Sequence, residues 1–481
     1  MASRPSARHN GGLREKSPRL SSQQNSRDAA LPHHRGDVEN GHHRRTRKRP
    51  QKGLVRVKSA GESGRRGLHP LHFFRIVWRS TSWLSRAVNI LWPIVPAAIA
   101  VHYALPERHT LGFVLSYIAM VPCANLIGFA GQELARKMPH VLGVLVETTI
   151  ASIVEIVLFM MLLTKGQYIL IKGAILGSIL ANLLLCLGCC FIASGVRRAD
   201  AVFDETISEA GSGLLLTAGV GLAIPAIYEH SLSTALEEGT ITQTLIDSNV
   251  TGISRAVAIL LLLSYIVFIW FQTATHHGLF TAMLEYDEER DHDKEKDMRK
   301  DKLTLTECIV ALTVSVALVT IIAYILTTEI PFIIEEHGLT DPFMGLILVP
   351  LVEKAAEHLT AIDEAWDNQM NFALIHCIGA TLQTALLNTP LVIIVGWGLN
   401  HTEMDLNFEI FDITMLILAI LTIGNFLRDQ KSNYLEGFLC VVVYVAIAVA
   451  AFYYPTSEEA HGSASGETTT EHLIARAMGA L

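Results

Sequence analysis

Long apolar stretches follow one another through most of the chain and leave its two ends polar. Most stretches contain about 18 residues or more, which is the length of helix that crosses a bilayer. A helix of a soluble domain would carry polar residues at helical period. The pattern therefore predicts eleven membrane spans, near residues 83–103, 111–130, 141–164, 170–194, 210–228, 253–275, 305–327, 340–362, 371–399, 410–427 and 435–454.

Composition supports this prediction, because 50% of the residues are hydrophobic and only 17% are charged. We expect an all-α polytopic membrane protein. The seven cysteines all lie in apolar stretches, which predicts buried free thiols. Cys186, Cys189 and Cys190 have a spacing typical of metal ligands, but no His or further Cys stands beside them in the sequence to complete a site.

Polar segments divide the chain into five parts. Residues 1–78 are predicted to be a disordered basic cytosolic tail, and residues 456–481 a polar C-terminal tail. Residues 281–304 form a charged cytosolic loop, expected to be a solvated linker or a short surface helix, between a first half (79–280) and a second half (305–455). The basic run 42–50 favours a tail near anionic lipid over a nucleic-acid partner.

Basic residues predict the orientation, because loops on the cytosolic side of a membrane are rich in Lys and Arg. With a cytosolic N-terminus, the cytosolic loops contain Arg136, Arg197 and Arg428. The opposite loops carry mostly acids, including Glu237 and Glu335. We therefore expect the N-terminus in the cytosol.

One acid falls inside a predicted span in each half. Glu155 and Glu357 are 202 positions apart, and Gly177 and Gly379 repeat that offset. A charged side chain at membrane depth is costly and usually faces a protein interior or a water-filled pathway. Two related halves with one intramembrane acid each indicate a transporter.

Polar residues near the two acids are candidate ligands. A hard cation prefers several oxygen ligands, and a carboxylate can hold either a cation or a proton. Asn182 and Gln383 lie on the next span of each half, and Ser152 and Ser178 add hydroxyl oxygens. The alternatives are that the two amides only tie helices together and that the glycines only serve packing. Core or solvent-facing roles are likewise favoured for His358, His376, Asp363 and Glu364.

Several stretches carry a resemblance to a known family. They include GAILGSILANLLLCLG (173–188), GLILVPLVEKAAEHLTAI (345–362) and NFLRDQKSNYLEG (425–437). Over about residues 80–455 the chain resembles the calcium/proton exchanger (CAX) family of the cation/Ca²⁺ exchanger superfamily, fungal vacuolar type. The resemblance implies one leading helix plus two inverted five-helix repeats. It also implies that Glu155 and Glu357 bind the metal ion and the proton.

The chain departs from the family pattern beside both acids. The family's repeats read G-N-x-x-E, but here the first two positions are Ala151-Ser152 in one half and Glu353-Lys354 in the other. Glu147 stands where the family has Asn, one turn earlier in the first half. Because both flexible glycines are lost, a break in each helix becomes less expected.

Lys354 is the departure with the largest expected effect. It lies three residues before Glu357, so the two side chains are neighbours on one helix face. An ammonium there would oppose Ca²⁺ by several kcal/mol at an effective dielectric near 20. Glu147 and Glu353 add negative charge that partly offsets it. A Lys354 side chain between the acids would argue against a divalent ion, and one turned to the cytosolic face would favour Ca²⁺.

These observations predict a secondary active cation/proton antiporter, with Ca²⁺/H⁺ exchange into an acidic organelle such as the vacuole as the first expectation. The alternatives are Na⁺ or K⁺ exchange, or a non-transporting relative that binds partners or lipid through its basic tail. An enzyme is not expected, since the paired motifs of intramembrane aspartyl proteases are not present. We expect no cofactor, only transported cations and protons. Membrane lipid is the expected partner, and a homo-oligomer is compatible with the sequence.

Overall fold

The structure is a computed structural model that describes residues 67–79, 82–292, 294–295 and 300–454. These residues are almost entirely helical. The α-helices are α1 (Pro70–Arg79), α2 (Trp83–Val88), α3 (Ile94–Ala104), α4 (His109–Ala135), α5 (His140–Ala151), α6 (Ile153–Thr164), α7 (Tyr168–Leu180), α8 (Leu187–Arg197), α9 (Glu205–Ser231), α10 (Ser233–Glu237), α11 (Gln243–Trp270), α12 (His277–Arg290), α13 (Leu305–His337), α14 (Asp341–Phe343), α15 (Val349–Glu353), α16 (Ala355–Trp366), α17 (Met370–Leu374), α18 (Ala380–Gln383), α19 (Thr389–Gly398), α20 (Ile410–Phe426) and α21 (Tyr434–Phe452).

Short irregular elements join several of these helices. A 3₁₀ turn covers Asn89–Leu91, and two short antiparallel strands pair with each other, β1 (Ala201–Val202) and β2 (Lys431–Ser432). Wider π-helical turns occur within longer helices, a feature often found at functional sites. They cover Ala181–Cys186, Phe271–Thr275, Met344–Leu348, Ile375–Gly379 and Thr384–Asn388.

The described residues contain nine helices that are long and apolar enough to cross a membrane. They are Leu84–Ala104, His109–Ala135, His140–Thr164, Tyr168–Arg197, Glu205–Glu237, Gln243–Thr275, Leu305–His337, Met370–Gly398 and Tyr434–Phe452. The shorter apolar helix Ile410–Phe426 and the charged, interrupted segment 341–366 bring the number to eleven. The predicted all-α polytopic fold is confirmed.

The spans form one leading helix and two halves of five. Leu84–Ala104 leads, five spans run from α4 to α11, and five more run from α13 to α21. Because five is an odd number, the second half enters the membrane from the side opposite to the first. This is the inverted arrangement that places a site between two halves.

Small residues let the two halves pack closely. A Cβ added to Gly177 would lie 2.1 Å from the Leu346 carbonyl oxygen and 2.7 Å from Pro350 Cγ. Pro350 lacks an N–H, so it cannot donate the usual helical hydrogen bond to the carbonyl oxygen of Leu346. Gly177 therefore allows the two helices to approach closely. Gly379 does not, because its nearest neighbour would be an Ile375 methyl at 3.8 Å.

The N-terminal prediction needs a correction at its end. Residues 1–66 lie outside the described part of the chain, as does the predicted C-terminal tail 456–481. Residues 70–79, however, form α1, although disorder was predicted to residue 78. The helix forms because its apolar face finds a partner: buried Ile76 packs in a cluster with Phe129 and Leu303.

The charged loop is more than a solvated linker. Its first part belongs to α12, and the Asp287 side chain there is buried. The Asp287 carboxylate accepts hydrogen bonds from the Asn371 backbone N–H at 2.7 Å, the Asn371 side chain at 2.9 Å and the Phe372 N–H at 3.2 Å. It thereby caps the first turn of α17, whose N–H groups lack helical partners. Burial nevertheless raises the pKa of Asp287 above its ordinary value.

Candidate functional site

Both acid-bearing spans are interrupted three residues before the acid. One break lies at Ser152, between α5 and α6, and the other at Lys354, between α15 and α16. The Thr149 hydroxyl donates to the Leu145 carbonyl and the Ser152 hydroxyl to the Thr149 carbonyl, competition that bends helices. The expectation that loss of the glycines disfavours a break is therefore wrong.

The Lys354 ammonium lies between the two acids. Its Nζ donates to Glu155 Oε2 at 2.8 Å and lies 3.3 and 3.4 Å from the Glu357 oxygens. Lys354 and Glu155 each have only 1% of their side chain exposed, whereas Glu357 has 16%. A buried charge requires a partner, and here one cation serves a carboxylate from each half.

Two residues that the sequence reasoning missed complete the surroundings of Glu155. The Thr384 hydroxyl and the Asn388 amide each donate to Glu155 Oε2 at 2.9 Å. Both belong to the π-helical turn Thr384–Asn388 and are fully buried. Glu155 Oε1 and Asn388 Oδ1 have no hydrogen-bond partner among the described residues. The site therefore offers hard oxygen atoms, which suit Na⁺, K⁺ or Ca²⁺.

A strict use of the repeat offset would have found one of these residues. Adding 202 to 182 gives 384, so Thr384 is the counterpart of Asn182 in the second half. Matching the Asn182 amide to the nearest amide of the second half instead predicts Gln383, which lies one position away. Along a helix one position is a turn of about 100°, which sends the side chain to another face.

Glu353 brings a further carboxyl to the same region. Its side chain is 2% exposed and interacts electrostatically with Lys354 and Glu155. Neither oxygen makes a hydrogen bond of ordinary geometry within the described chain, although Ser178 lies beside them. Ser178 Oγ has no such bond either. Glu353 is thus a nearby acid that Lys354 does not use in this arrangement.

The other predicted ligands lie at different distances from this centre. Asn182 Oδ1 contacts His358 Nε2 at 3.1 Å. This contact links the two halves, because His358 follows Glu357 in the second half. Gln383 lines a cavity together with Thr148, Gln272 and apolar residues, and no described contact joins it to either acid. The Ser152 hydroxyl is used within its own helix.

His376, Glu147 and Glu364 form a second polar cluster. His376 Nδ1 contacts Glu364 Oε2 at 2.6 Å, and His376 Nε2 lies 3.5 Å from Glu147 Oε1. The two carboxyl side chains are 16% and 14% exposed. His376 also interacts electrostatically with Glu357. The cluster therefore joins a carboxyl group of each half through one imidazole ring.

The tertiary structure brings a third cysteine to two of the cysteines whose spacing is typical of metal ligands. Cys377 joins Cys186 and Cys190, although no completing ligand stands beside them in the sequence. Cys377 comes from the second half, so only folding brings it to the other two.

Comparison with known proteins agrees with this architecture. The model of the family "sodium/calcium exchanger protein" matches residues 108–274 and 308–453, more than half of the chain. The Ca²⁺/H⁺ antiporter of Aphanothece halophytica is 31% identical over 76% of this chain and 96% of its own. The vacuolar calcium ion transporter of Schizosaccharomyces pombe is 29% identical over 71% of this chain and 79% of its own.

Solved structures show the same fold. The structure of native YfkE has a TM-score of 0.62 at 23% identity, covering 76% of this chain and 100% of its own. The H⁺/Ca²⁺ exchanger CAX has a TM-score of 0.53 at 11% identity, covering 77% and 89%. With eleven spans, an acid at an interrupted helix in each half and a family model matched across both halves, the chain belongs to the sodium/calcium exchanger protein family.

Proposed function

We propose that this protein is a secondary active cation/proton antiporter whose cargo binds between Glu155 and Glu357. The observation that carries the proposal is the pair of carboxylates, one from each half, that share a single buried cation. Alternating access in inverted-repeat transporters occurs around such a central site. Relatives named as Ca²⁺/H⁺ antiporter and vacuolar calcium ion transporter support it.

Lys354 acts in this proposal as an internal competitor of the cargo. Its ammonium occupies the space between the acids, so an arriving cation must displace it. Glu353 is the neighbouring acid that can receive Lys354 once it leaves. Glu353 and Lys354 together add one negative and one positive formal charge, so they leave the net charge of the two-acid site unchanged. Lys354 between the acids argues against a divalent ion in this arrangement. Ca²⁺ stays the first candidate because of the relatives named for it, and its binding requires Lys354 to move to Glu353.

A monovalent cation is the second candidate, and the position of Lys354 favours it. The site already holds a singly charged group between its carboxylates. Exchange of one monovalent cation for another preserves the charge between the acids. Ca²⁺ carries two charges, so the Lys354 ammonium would repel it by about 8 kcal/mol at 4 Å and an effective dielectric of 20, unless Lys354 withdraws.

We propose that protons reach and leave the acids through the cluster of Glu147, His376 and Glu364. The ring of His376 contacts both carboxyl groups and lies near Glu357. A histidine can accept a proton at one nitrogen and give one up at the other. This arrangement gives Glu147, which replaces a family Asn, a role in proton movement rather than in cargo binding.

The location is proposed from the relatives and from charge. Proteins named vacuolar exchangers or vacuolar transporters are similar to this chain across its spans. We propose a vacuolar or other endomembrane location, a cytosolic N-terminus, and a lumen-to-cytosol proton flow. A tag accessibility assay at each terminus, in intact and permeabilised organelles, tests the orientation. Cross-linking of the purified protein in lipid tests for a homo-oligomer.

Transport in vesicles tests the function. Purified protein is placed in vesicles with an acidic lumen, and Ca²⁺, Na⁺ or K⁺ is added outside while internal pH is recorded. We expect Ca²⁺ to raise the internal pH, and we expect E155Q and E357Q to abolish the response while still folding. A response to Na⁺ or K⁺ without one to Ca²⁺ selects the monovalent candidate. Folded protein that responds to none of the three refutes antiport and favours a non-transporting relative.

A further inference from the structure

Three buried thiols converge at one point between the two halves. Cys186 ends the π-helical turn Ala181–Cys186, Cys190 lies one turn later on α8, and Cys377 lies in the π-helical turn Ile375–Gly379. The Cys377 and Cys186 sulfurs are 3.4 Å apart, and those of Cys377 and Cys190 are 4.0 Å apart. All three sulfurs lie within 4.8 Å of one another, and the side chains are at most 2% exposed.

We propose that Cys186, Cys190 and Cys377 form a three-sulfur binding site for a thiophilic monovalent metal ion of the Cu⁺ class. A metal–sulfur bond is about 2.3 Å long, so an ion bound in the plane of three sulfurs places them about 4 Å apart. The observed separations are close to that value: two are 3.4 and 4.0 Å, and the third is at most 4.8 Å. The sulfurs therefore need to move little to become ligands.

The ligand chemistry selects the ion. Soft thiolates favour Cu(I), whereas the hard cations of the carboxylate site favour oxygen. Zn²⁺ usually takes four ligands in a structural site, and the described residues bring together three sulfurs. The neighbouring His376 ring is already in contact with Glu364 and Glu147. A three-coordinate Cu⁺ fits this set better than a tetrahedral ion.

Binding is a ligand exchange without a change in oxidation state. Two S–H bonds break as two S–Cu bonds form, two protons leave, and the third sulfur binds as a neutral thiol. Two thiolates and one thiol carry less negative charge into the membrane interior than three thiolates would, so their desolvation cost is smaller. The bound ion would connect Cys377 of the second half to α8 of the first. The inference does not depend on the proposed antiport, because the sulfurs form a separate cluster from the carboxylates.

Copper binding to the full-length protein tests the site. Protein purified under reducing, oxygen-free conditions is titrated with Cu⁺ buffered by the chelator bicinchoninate. We expect one Cu⁺ per chain, and X-ray absorption showing sulfur ligands without oxygen or nitrogen. C377A and C186A should each weaken binding at least about tenfold, since a lost ligand costs no less than a lost outer-shell partner.

Matched controls separate this site from general thiol affinity. Cys308 and Cys440 are equally buried but stand outside the three-sulfur group. C308A and C440A should bind Cu⁺ as the unmodified protein does, and thermal unfolding should show that every variant is folded. The proposal is overturned if the unmodified protein binds no Cu⁺ at chelator-buffered concentrations, or if folded C377A binds it with unchanged affinity.

Discussion

Lys354 donates a hydrogen bond to Glu155 across 199 positions of sequence, and thereby joins the two halves of the molecule with a buried ion pair. The same ammonium lies beside Glu357, its neighbour on the same helix face. In a buried pair the desolvation cost competes with the attraction. Such a contact is therefore better suited to being exchanged for a cargo ion than to stabilising the fold.

The pair Glu353-Lys354 is predicted to act as a unit. K354N removes the ammonium that pairs with Glu155 and Glu357, and leaves these two acids close to Glu353, so we expect a loss of about 3–5 kcal/mol in the free energy of unfolding. E353G/K354N restores the charge balance and the family residues. It should recover most of that stability and raise the apparent affinity for Ca²⁺ at least about tenfold.

Thermal unfolding and Ca²⁺-driven pH change in vesicles measure both effects. E353G alone is the matched control, since it keeps Lys354 between the acids and should leave Ca²⁺ affinity lower than in the double variant. If K354N and E353G/K354N are equally unstable, the two residues are not coupled and Glu353 is not the alternative partner of Lys354.

Gly177 should tolerate no side chain. The Cβ of G177A would overlap the Leu346 carbonyl oxygen at 2.1 Å, so the helices must separate. We expect a loss of about 1–3 kcal/mol in unfolding free energy, the usual cost of overpacking. G379A occupies the equivalent position of the other half, where the nearest atom is at 3.8 Å, and should be neutral or slightly stabilising. Equal effects in thermal unfolding would contradict the asymmetry.

His376 should control the rate at which protons reach the acids. H376Q keeps a polar side chain but cannot pass a proton between Glu147 and Glu364. We expect transport in vesicles to slow by about tenfold or more, with an altered dependence of the rate on pH. H140Q is the control, because His140 is more exposed and lies 3.7 Å from Glu288, away from this cluster. A slower H376Q with an unchanged pH profile would indicate a structural role alone.

Asp287 should matter for stability rather than transport. D287A leaves the buried N–H groups of Asn371 and Phe372 unpaired, at a cost of about 1–3 kcal/mol. E285A, on the exposed side of α12, should change stability by less than about 0.5 kcal/mol.

The pH dependence of this effect follows from the raised pKa of Asp287. A carboxyl whose pKa is higher in the folded than in the unfolded state contributes most below the unfolded value. Its contribution falls as pH rises through the folded value. The stability difference between the unmodified protein and D287A should therefore be larger at pH 4 than at pH 7. A difference that grows with pH would show that the hydrogen bonds to the ionised carboxylate outweigh burial.

Much of the architecture could be read from local pattern. Stretches of apolar residues long enough to cross a bilayer predict the spans without knowledge of their partners. The offset between Glu155 and Glu357 revealed the two halves, since repeated structure leaves repeated sequence. The break at Ser152 was harder to predict, because it depends on hydroxyl groups that bond to the backbone one turn earlier.

Sequence by itself determined the eleven spans, the two halves and the acid that each half contributes. Only the tertiary structure decided that Lys354 points between those acids, that Thr384 and Asn388 donate to Glu155, and that Cys377 meets Cys186. The physical reason is that hydrophobic length is a local property of the chain. The direction of a charged or polar side chain instead depends on which groups from the other half can pair with it, because an unpaired polar group inside the membrane is costly.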